Sequence, residues 1–153
     1  MSNQAIIDKL NDILRHEWTG VAQYAQAGFV IQGLWRVAYS KLFFDSAEES
    51  FGHAKRIGEK IVALGGVPTV ERNPIKQSDD LAEMLEHALA FEQGAVDLYT
   101  EALKLSDGTD RALTVMLEDI LLEEQDGVDE ISQLLREQIG AAGKGAGSAS
   151  KAG

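Results

Sequence analysis

A carboxylate and an imidazole lie four residues apart at Glu49 and His53, within the segment 45–57. On an α-helix this spacing turns both side chains toward one face, which is how a helix presents ligands to a metal ion. Glutamate and histidine also occur together on solvated helix faces, so the pair alone does not establish a site. A metal-binding interpretation needs matching ligands elsewhere in the chain.

Carboxylates in three other segments provide that match. Glu17, Glu92 and Glu123 are each in phase with the apolar residues of their own segment, so each is predicted to point into a helical core. A buried carboxylate without compensation costs on the order of several kcal/mol, and Lys60 is the single basic candidate to balance them. Either the carboxylates share protons or a cation lies among them. Ligation by carboxylates and imidazole suits iron or manganese.

The composition favours an all-α protein that binds cations. The 153 residues are 44% hydrophobic and 25% charged, with two prolines. The absence of cysteine excludes disulfides, zinc ribbons and iron–sulfur clusters. A formal net charge of −11 repels nucleic acid and anionic membranes and attracts cations. The start of the chain lacks a signal-peptide pattern, and no apolar run approaches the roughly 18 residues of a membrane span, so we expect a cytoplasmic protein.

Hydrophobic periodicity predicts four helices that would position these side chains. They cover, in order, about 3–32, 34–64, 79–105 and 110–140. Gly33 is expected to end the first helix and Gly65 the second, while Ser78 and Thr109 are expected to cap the third and fourth. The stretch 65–77 contains both prolines and has no helical period. We interpret it as a long crossover between two helical hairpins.

Two short-looped hairpins joined by one crossover predict an antiparallel four-helix bundle with approximate two-fold symmetry. Glu17 and Glu92 support this symmetry, because each is followed seven residues later by a tyrosine. The bundle is assigned to 1–139, without a fifth helix, and the Gly/Ala/Ser/Lys-rich stretch 140–153 is predicted to be a disordered tail.

Two strings extend the pattern: Glu-Glu-Ser-Phe-Gly-His-Ala-Lys-Arg-Ile at 48–57 and Leu-Leu-Glu-Glu-Gln-Asp at 121–126. With the spacing of the four helices, they resemble the ferritin-like di-iron carboxylate proteins over about 4–138, most of all bacterioferritins and rubrerythrins, with the Dps-like miniferritins also similar. The resemblance implies a ferroxidase, in which oxygen or peroxide takes electrons from two ferrous ions. It also implies a ferric product that moves into the cavity of a hollow homo-oligomer, and thus a role in iron storage or in defence against oxidative stress.

That family takes one Glu from each of two helices and a Glu-x-x-His motif from each of the other two. Here Ser50 stands in place of the bridging Glu of the second helix, and Asp126 in place of the His of the fourth. Glu49 is a candidate to replace the missing carboxylate. The expected metal ligands are therefore Glu17, Glu49, His53, Glu92, Glu123 and Asp126. Such a centre would be asymmetric, bind one metal tightly and one weakly, or have lost fast ferroxidase activity.

The resemblance also bears on cofactors and partners. Iron is expected, in a di-iron centre, with manganese or zinc as further candidates; haem is not, because Phe51 stands at the position of the haem-ligating Met. A cage of twelve or of twenty-four subunits is equally compatible with the chain. DNA binding is not expected from Lys144 and Lys151 alone on an acidic protein. The alternatives are a ferritin-fold metal-binding or structural protein with a weak site, and a di-metal peroxidase or oxygenase.

Overall fold

Four α-helices account for the regular structure of the described residues. The computed structural model describes the backbone of 2–151 and the side chains of 3–136. The helices are α1 (Ser2–Val30), α2 (Arg36–Ala63), α3 (Leu81–Ser106) and α4 (Arg111–Lys151). The all-α four-helix prediction is confirmed. Helix α4 continues past the end expected near residue 140, but side chains beyond 136 lie outside the described range, so the disordered tail over 140–153 stays a prediction.

The two glycines expected to end helices do so with positive φ. Gly33 has φ 89° after α1, and the guanidinium of Arg36 donates to the carbonyls of Phe29 and Ile31, at 3.1 and 2.7 Å, where the chain leaves the helix. Gly65 has φ 90° after α2. The amides of Gly65 and Gly66 bond back to the carbonyls of Val62 and Ile61, each at 2.9 Å, which is the pattern of a Schellman motif.

The predicted N-terminal caps of α3 and α4 are wrong by one or two residues. Asp80, not Ser78, caps α3, because its carboxylate accepts the amide of Glu83 at 3.0 Å. Asp110, not Thr109, precedes α4 and accepts the amide of Leu113 at 3.0 Å. A carboxylate at either position accepts the free amides and also interacts favourably with the helix dipole. The Thr109 hydroxyl instead donates to carbonyls at the end of α3.

The crossover between the hairpins, predicted at 65–77 from its prolines and its lack of helical period, lies along α1. Polar side chains of α1 form hydrogen bonds with the backbone of the crossover, whose amides and carbonyls have no helix or strand partners. Asn11 accepts the amide of Thr69 at 2.9 Å, and the indole of Trp18 donates to the Thr69 carbonyl at 3.0 Å. Gln23 accepts the amide of Lys76 at 2.9 Å. Within residues 2–151, no helix is both long and apolar enough to cross a membrane.

The core consists of two apolar clusters at different heights of the bundle. One cluster includes Leu10, Leu14, Ile57, Tyr99, Leu117 and Ile120. The other includes Tyr24, Phe43, Leu85, Phe91 and Ile131. Between its contributions to the two clusters, each helix has buried polar residues, among them Glu17, Ser50, His53, Glu92 and Glu124. We call Glu17, His53, Glu92 and Glu124 the polar layer, since the two clusters hold these four ionisable groups between them.

Gly20 allows close packing beside the polar layer, and its replacement gives a stability prediction. A methyl group at Gly20 would overlap Phe91 Cζ and Ser50 Oγ. We expect Gly20→Ala to lower the free energy of unfolding by about 1–3 kcal/mol, because overpacking a buried contact displaces its neighbours. Urea unfolding at one protein concentration measures the change.

The matched control is Gly52→Ala on α2, where an added methyl group would meet nothing within 4 Å. This change should raise stability by roughly 0.5–1 kcal/mol, because alanine is the better helix former. Equal effects of the two variants would contradict the close packing at Gly20.

Candidate metal centre

Three side chains from three helices converge in the polar layer. Glu17 of α1, His53 of α2 and Glu124 of α4 each offer a ligand atom, and these atoms all lie within 4.8 Å of one another. His53 Nδ1 is 2.8 Å from a Glu124 oxygen and 3.7 Å from a Glu17 oxygen. The three residues are at most 3% exposed. The bundle therefore presents two carboxylates and one imidazole nitrogen to a space closed to solvent.

One oxygen of Glu17 lacks a partner. Tyr99 donates to Glu17 Oε1 at 3.0 Å, but Oε2 is buried and makes no hydrogen bond. Buried polar atoms are nearly always paired, and an unpaired carboxylate oxygen is costly. A cation among Glu17, His53 and Glu124 would compensate it. Two carboxylates with one imidazole are a donor set that suits iron, manganese or zinc, so the residues present fit a bound metal ion.

Glu92 of α3 is the fourth carboxyl group of the polar layer. It is 8% exposed, and its Oε1 accepts a short hydrogen bond from the Tyr24 hydroxyl. Gly127 of α4 leaves space for it, because a methyl group at that position would lie 3.2 Å from Glu92 Cδ. A carboxylate thus occupies the volume that a side chain at Gly127 would need.

Burial among like charges makes these groups bind protons when no cation is present. Burial, with Glu124 as neighbour, raises the pKa of Glu92 to about 9. Burial also raises the pKa of Glu124. For His53, burial lowers the pKa, but the hydrogen bonds and negative charges of Glu124 and Glu17 outweigh it and raise the pKa to about 11. At neutral pH the polar layer then holds an imidazolium and a protonated Glu92.

Two tyrosines cross between the hairpins to hold the layer. Tyr24 of α1 donates to Glu92 of α3, and Tyr99 of α3 donates to Glu17 of α1. Burial, followed by the nearby carboxylates, raises the pKa of both phenols well above the ordinary value, so both remain donors at neutral pH. The sequence repeat of Glu and Tyr seven residues apart corresponds to this reciprocal pairing.

The structure separates the six predicted ligands into an inner and an outer set. Glu17, His53 and Glu92 lie in the polar layer. The other three line an open acidic pocket at the surface, together with Gly127 and Glu130: Glu49, Glu123 and Asp126. Glu49 and Glu123 have half-exposed side chains and form a second group of possible metal ligands with the other nitrogen of His53. Asp126 belongs to neither group of possible ligands among the described side chains.

The predicted inward direction of Glu123 is wrong, and sequence reasoning missed Glu124. The prediction placed Glu123 on a stripe with Met116 and Ile120. The buried stripe instead passes through Leu117, Ile120 and Glu124. Both stripes advance in steps of three and four residues, so the sequence offered Glu124 as well as Glu123 without deciding between them.

Because Glu124 rather than Glu123 faces the interior, the position on α4 where the Glu-x-x-His pattern would have its His also changes. Three residues after Glu124 comes Gly127 rather than Asp126, and three residues before His53 comes Ser50. Ser50 is buried, so it faces the bundle interior as the motif position requires, but it has no carboxylate. Helix α2 therefore keeps the His of its motif and α4 keeps the Glu.

Comparison with known proteins points to the same family as the resemblance found in the sequence. A family model for the ferritin-like domain matches residues 7–139. A bacterioferritin of Rhodobacter capsulatus is 38% identical over 101 residues, which are 63% of this chain and only 61% of that protein. A "nutrient stress-induced DNA-binding protein" of Synechococcus sp. is 29% identical over 143 residues, covering 85% of this chain and 80% of that protein.

Among solved structures, ferritin-like di-iron carboxylate proteins from Bacillus anthracis str. Ames superpose with a TM-score of 0.85. The identity is 29%, and the match covers 88% of this chain and 98% of that one. The helical pairing, the polar layer and the family match agree with the resemblance found in the sequence. The chain belongs to the ferritin-like domain family, with a bacterioferritin among its relatives.

Proposed function

We propose that this protein binds ferrous iron inside its four-helix bundle, oxidises it with oxygen or peroxide, and stores or detoxifies the ferric product in a cytoplasmic homo-oligomer. The observation that carries the proposal is the convergence of Glu17, His53 and Glu124 in a buried layer where one Glu17 oxygen has no partner. Membership of the ferritin-like family and similarity to a bacterioferritin support iron as the ion.

Each residue of the polar layer has a distinct role in this proposal. Glu17 and Glu124 supply negative oxygens, which favour the ferric over the ferrous ion because they compensate the higher charge. His53 supplies a nitrogen that must first release its proton, so binding of iron releases protons and strengthens as the pH rises. Tyr99 fixes Glu17 in place by donating to one of its oxygens.

Electron balance requires two ferrous ions for each oxygen reduced to hydrogen peroxide, since each gives up one electron and oxygen takes two. Glu92, with Glu124 beside it, offers the second position. This position is the weaker one, because Ser50 and Gly127 supply neither the second bridging carboxylate nor a second imidazole. The proposed centre thus binds one iron tightly and one weakly.

The outer pocket has an electrostatic role in this proposal. Four of its five lining residues are acidic: Glu49, Glu123, Asp126 and Glu130. A pocket lined by negative charges raises the local concentration of cations. These side chains attract ferrous ions toward the polar layer. Gly127 lies between the pocket and Glu92, and it has no side chain that would block the way.

Assembly into a homo-oligomer is proposed from the exposed apolar surface near the turn between α1 and α2. Leu34 is 97% exposed and Val37 87%, with Trp35 and Phe29 each 62% exposed beside them. A cluster of large apolar side chains in water is typical of an interface. We do not extend the DNA-binding role in the name of the Synechococcus relative to this protein, because its net charge of −11 opposes phosphate.

A second candidate function is favoured by Ser50 and Gly127. A centre that lacks half of each helix motif would bind a metal without useful turnover, which makes the protein a ferritin-fold metal-binding protein. The two candidates share the tight site and differ in how the bound iron reacts when oxygen is added.

Anaerobic titration of the apoprotein with ferrous iron tests the ligand set. We expect one tightly bound iron per subunit, and a loss of affinity of at least about 100-fold, or about 2.7 kcal/mol, in Glu17→Gln and in Glu124→Gln. Glu118→Gln, exposed on the same helix as Glu124, should leave the affinity unchanged. Asp126→Asn should have a smaller effect than Glu124→Gln; an equal effect would mean that Asp126 is a ligand.

Addition of oxygen or peroxide to the iron-loaded protein separates the two candidate functions. Fast oxidation with many irons per subunit, eluting with a large oligomer on gel filtration, is the expected result for a storage protein. Stoichiometric iron without mineral would instead identify the metal-binding protein that lacks useful turnover.

The pKa of Glu92 predicts how the stability of the metal-free protein depends on pH. Because this pKa is raised to about 9, the folded state retains a proton that the unfolded state releases near pH 4.5. Stability therefore falls as the pH rises from about 4.5 to 9. Glu92→Gln removes this loss and should stabilise the apoprotein by on the order of 4 kcal/mol at pH 8, with little change at pH 4.5.

Urea unfolding in the presence of a chelator, at pH 4.5 and pH 8, measures this difference. The raised pKa of His53 adds a loss of stability between about pH 6.5 and 11 that remains in the variant. Glu86→Gln, exposed on the same helix, is the control and should not change the pH dependence. A Glu92→Gln variant that is less stable than the unmodified protein at pH 8 would contradict the assignment of a proton to Glu92.

A further inference from the structure

A small cavity lies where α1, α2 and α3 meet the crossover, and we call it the α1–α3 cavity. Its volume is about 20 Å³. Buried side chains from three helices form its wall: Tyr24 of α1, Phe43 of α2, and Met84 and Ala88 of α3. The acidic outer pocket is lined by residues of α2 and α4 alone, and the two share no lining residue. The bundle therefore has a concave site that is separate from the outer pocket.

The size of the α1–α3 cavity limits its occupant to a molecule of very few atoms. Its volume of about 20 Å³ is slightly more than the roughly 10–15 Å³ that one water molecule needs. An organic substrate, of the kind that a di-metal oxygenase would oxidise, has no room there. Dioxygen and hydrogen peroxide, with two heavy atoms each, are small enough.

The wall of the cavity favours an apolar occupant. Phe43, Met84 and Ala88 are at most 4% exposed and carry no charge. Tyr24 has a polar atom, but its hydroxyl already donates to Glu92. Apolar cavities bind apolar atoms and small apolar molecules, whereas peroxide would need hydrogen-bond partners in the wall. Of the two oxidants, dioxygen therefore matches the cavity better.

The exposed end of the cavity disfavours cations. Lys76 of the crossover is exposed there, and His87 of α3 is partly exposed beside it. Among the described side chains, none that lines this cavity is acidic, whereas four of the five lining residues of the outer pocket are acidic. A ferrous ion is therefore attracted to the outer pocket and repelled by Lys76, while a neutral molecule is indifferent to both charges.

Tyr24 connects the cavity to the polar layer, because it lines the cavity and its hydroxyl donates to Glu92. We propose that the α1–α3 cavity binds dioxygen and is the route by which this oxidant reaches the polar layer, while ferrous ions enter from the outer pocket. The inference deepens the proposed function and rests on it. Iron and oxidant then meet only in the polar layer, which each enters from a different site.

Xenon binding to crystals of the intact apo-oligomer tests the cavity without iron or redox chemistry. Xenon is apolar and is located by its anomalous scattering, so it serves as the probe for a dioxygen site. We expect one xenon atom in the cavity of the unmodified protein, in contact with Phe43 and Met84.

Two variants fill the cavity from different helices. Ala88→Leu on α3 and Ala27→Leu on α1 each add a larger side chain to its lining, so each should abolish the xenon peak. The second variant keeps the test valid if the first overpacks the core and fails to fold. Ala112→Leu, exposed on α4, is the matched control, because α4 contributes no residue to this cavity, and it should retain the xenon peak.

Stopped-flow mixing of the iron-loaded protein with dioxygen tests the route. Ala88→Leu and Ala27→Leu should lower the second-order rate constant for dioxygen by about tenfold and leave the anaerobic affinity for ferrous iron unchanged. Glu130→Gln, which removes one of the four acidic groups of the outer pocket, should show the reverse: uptake of ferrous iron slowed by roughly threefold, with the rate constant for dioxygen unchanged.

A parallel series with hydrogen peroxide tests the choice of oxidant. An unchanged rate constant for peroxide in Ala88→Leu supports dioxygen as the occupant, whereas an equal slowing with both oxidants would overturn that choice.

Three further outcomes would overturn the proposal or part of it, and they are distinguishable. Absence of xenon from the cavity of the unmodified protein would mean that the cavity binds no apolar molecule. Loss of xenon in both cavity variants with an unchanged rate constant for dioxygen would show that the cavity is not the route. If the unmodified protein binds no ferrous iron, the proposed function fails and the route fails with it, whereas a xenon atom in the cavity would still support dioxygen binding there.

Discussion

The burial of four ionisable groups between two apolar clusters is the constraint on which this structure depends. Glu17, His53, Glu92 and Glu124 lie at one level of the bundle, and each helix contributes one of them. Their negative charge exceeds their positive charge, so the layer is stable only with protons or a cation. Binding protons and binding a cation are therefore two ways to compensate the same buried negative charge. The apolar clusters supply the stability that keeps these ionisable groups buried.

The ionisable groups of the polar layer depart from two-fold symmetry, whereas the tyrosines that hold them keep it. Tyr24 and Tyr99 pair reciprocally with Glu92 and Glu17 across the hairpins. One side of the layer keeps an imidazole, and the other keeps only carboxylate and phenol groups. Oxygen-only ligation favours harder ions than a mixed oxygen and nitrogen site does. The two halves of the centre are thus chemically different although the backbone around them repeats.

Hydrophobic periodicity predicted the helix number, the hairpin pairing and the crossover, because each depends on long patterns and on glycines at defined positions. It also predicted two residues of the polar layer, Glu17 and Glu92, whereas His53 was singled out by its four-residue spacing to Glu49. It failed on α4, where adjacent carboxylates at 123 and 124 follow adjacent apolar residues at 116 and 117. One residue rotates a helix position by about 100°, so two stripes fit the pattern equally well. Packing against the other three helices decides between them, and a single sequence does not contain that information.

The packing around Ser50 indicates that the departure from the family motif is accommodated by its neighbours. Ser50 Oγ and the Phe91 ring both lie against the face of Gly20. Phe91 in turn stacks on His16 with centroids 4.1 Å apart, and His16 Nε2 bonds to the Phe91 carbonyl at 2.9 Å. Burial lowers the pKa of His16, so the neutral ring donates this bond at physiological pH. Ser50 and Phe91 thus share the space beside Gly20, so the asymmetry of the polar layer extends to the packing that surrounds it.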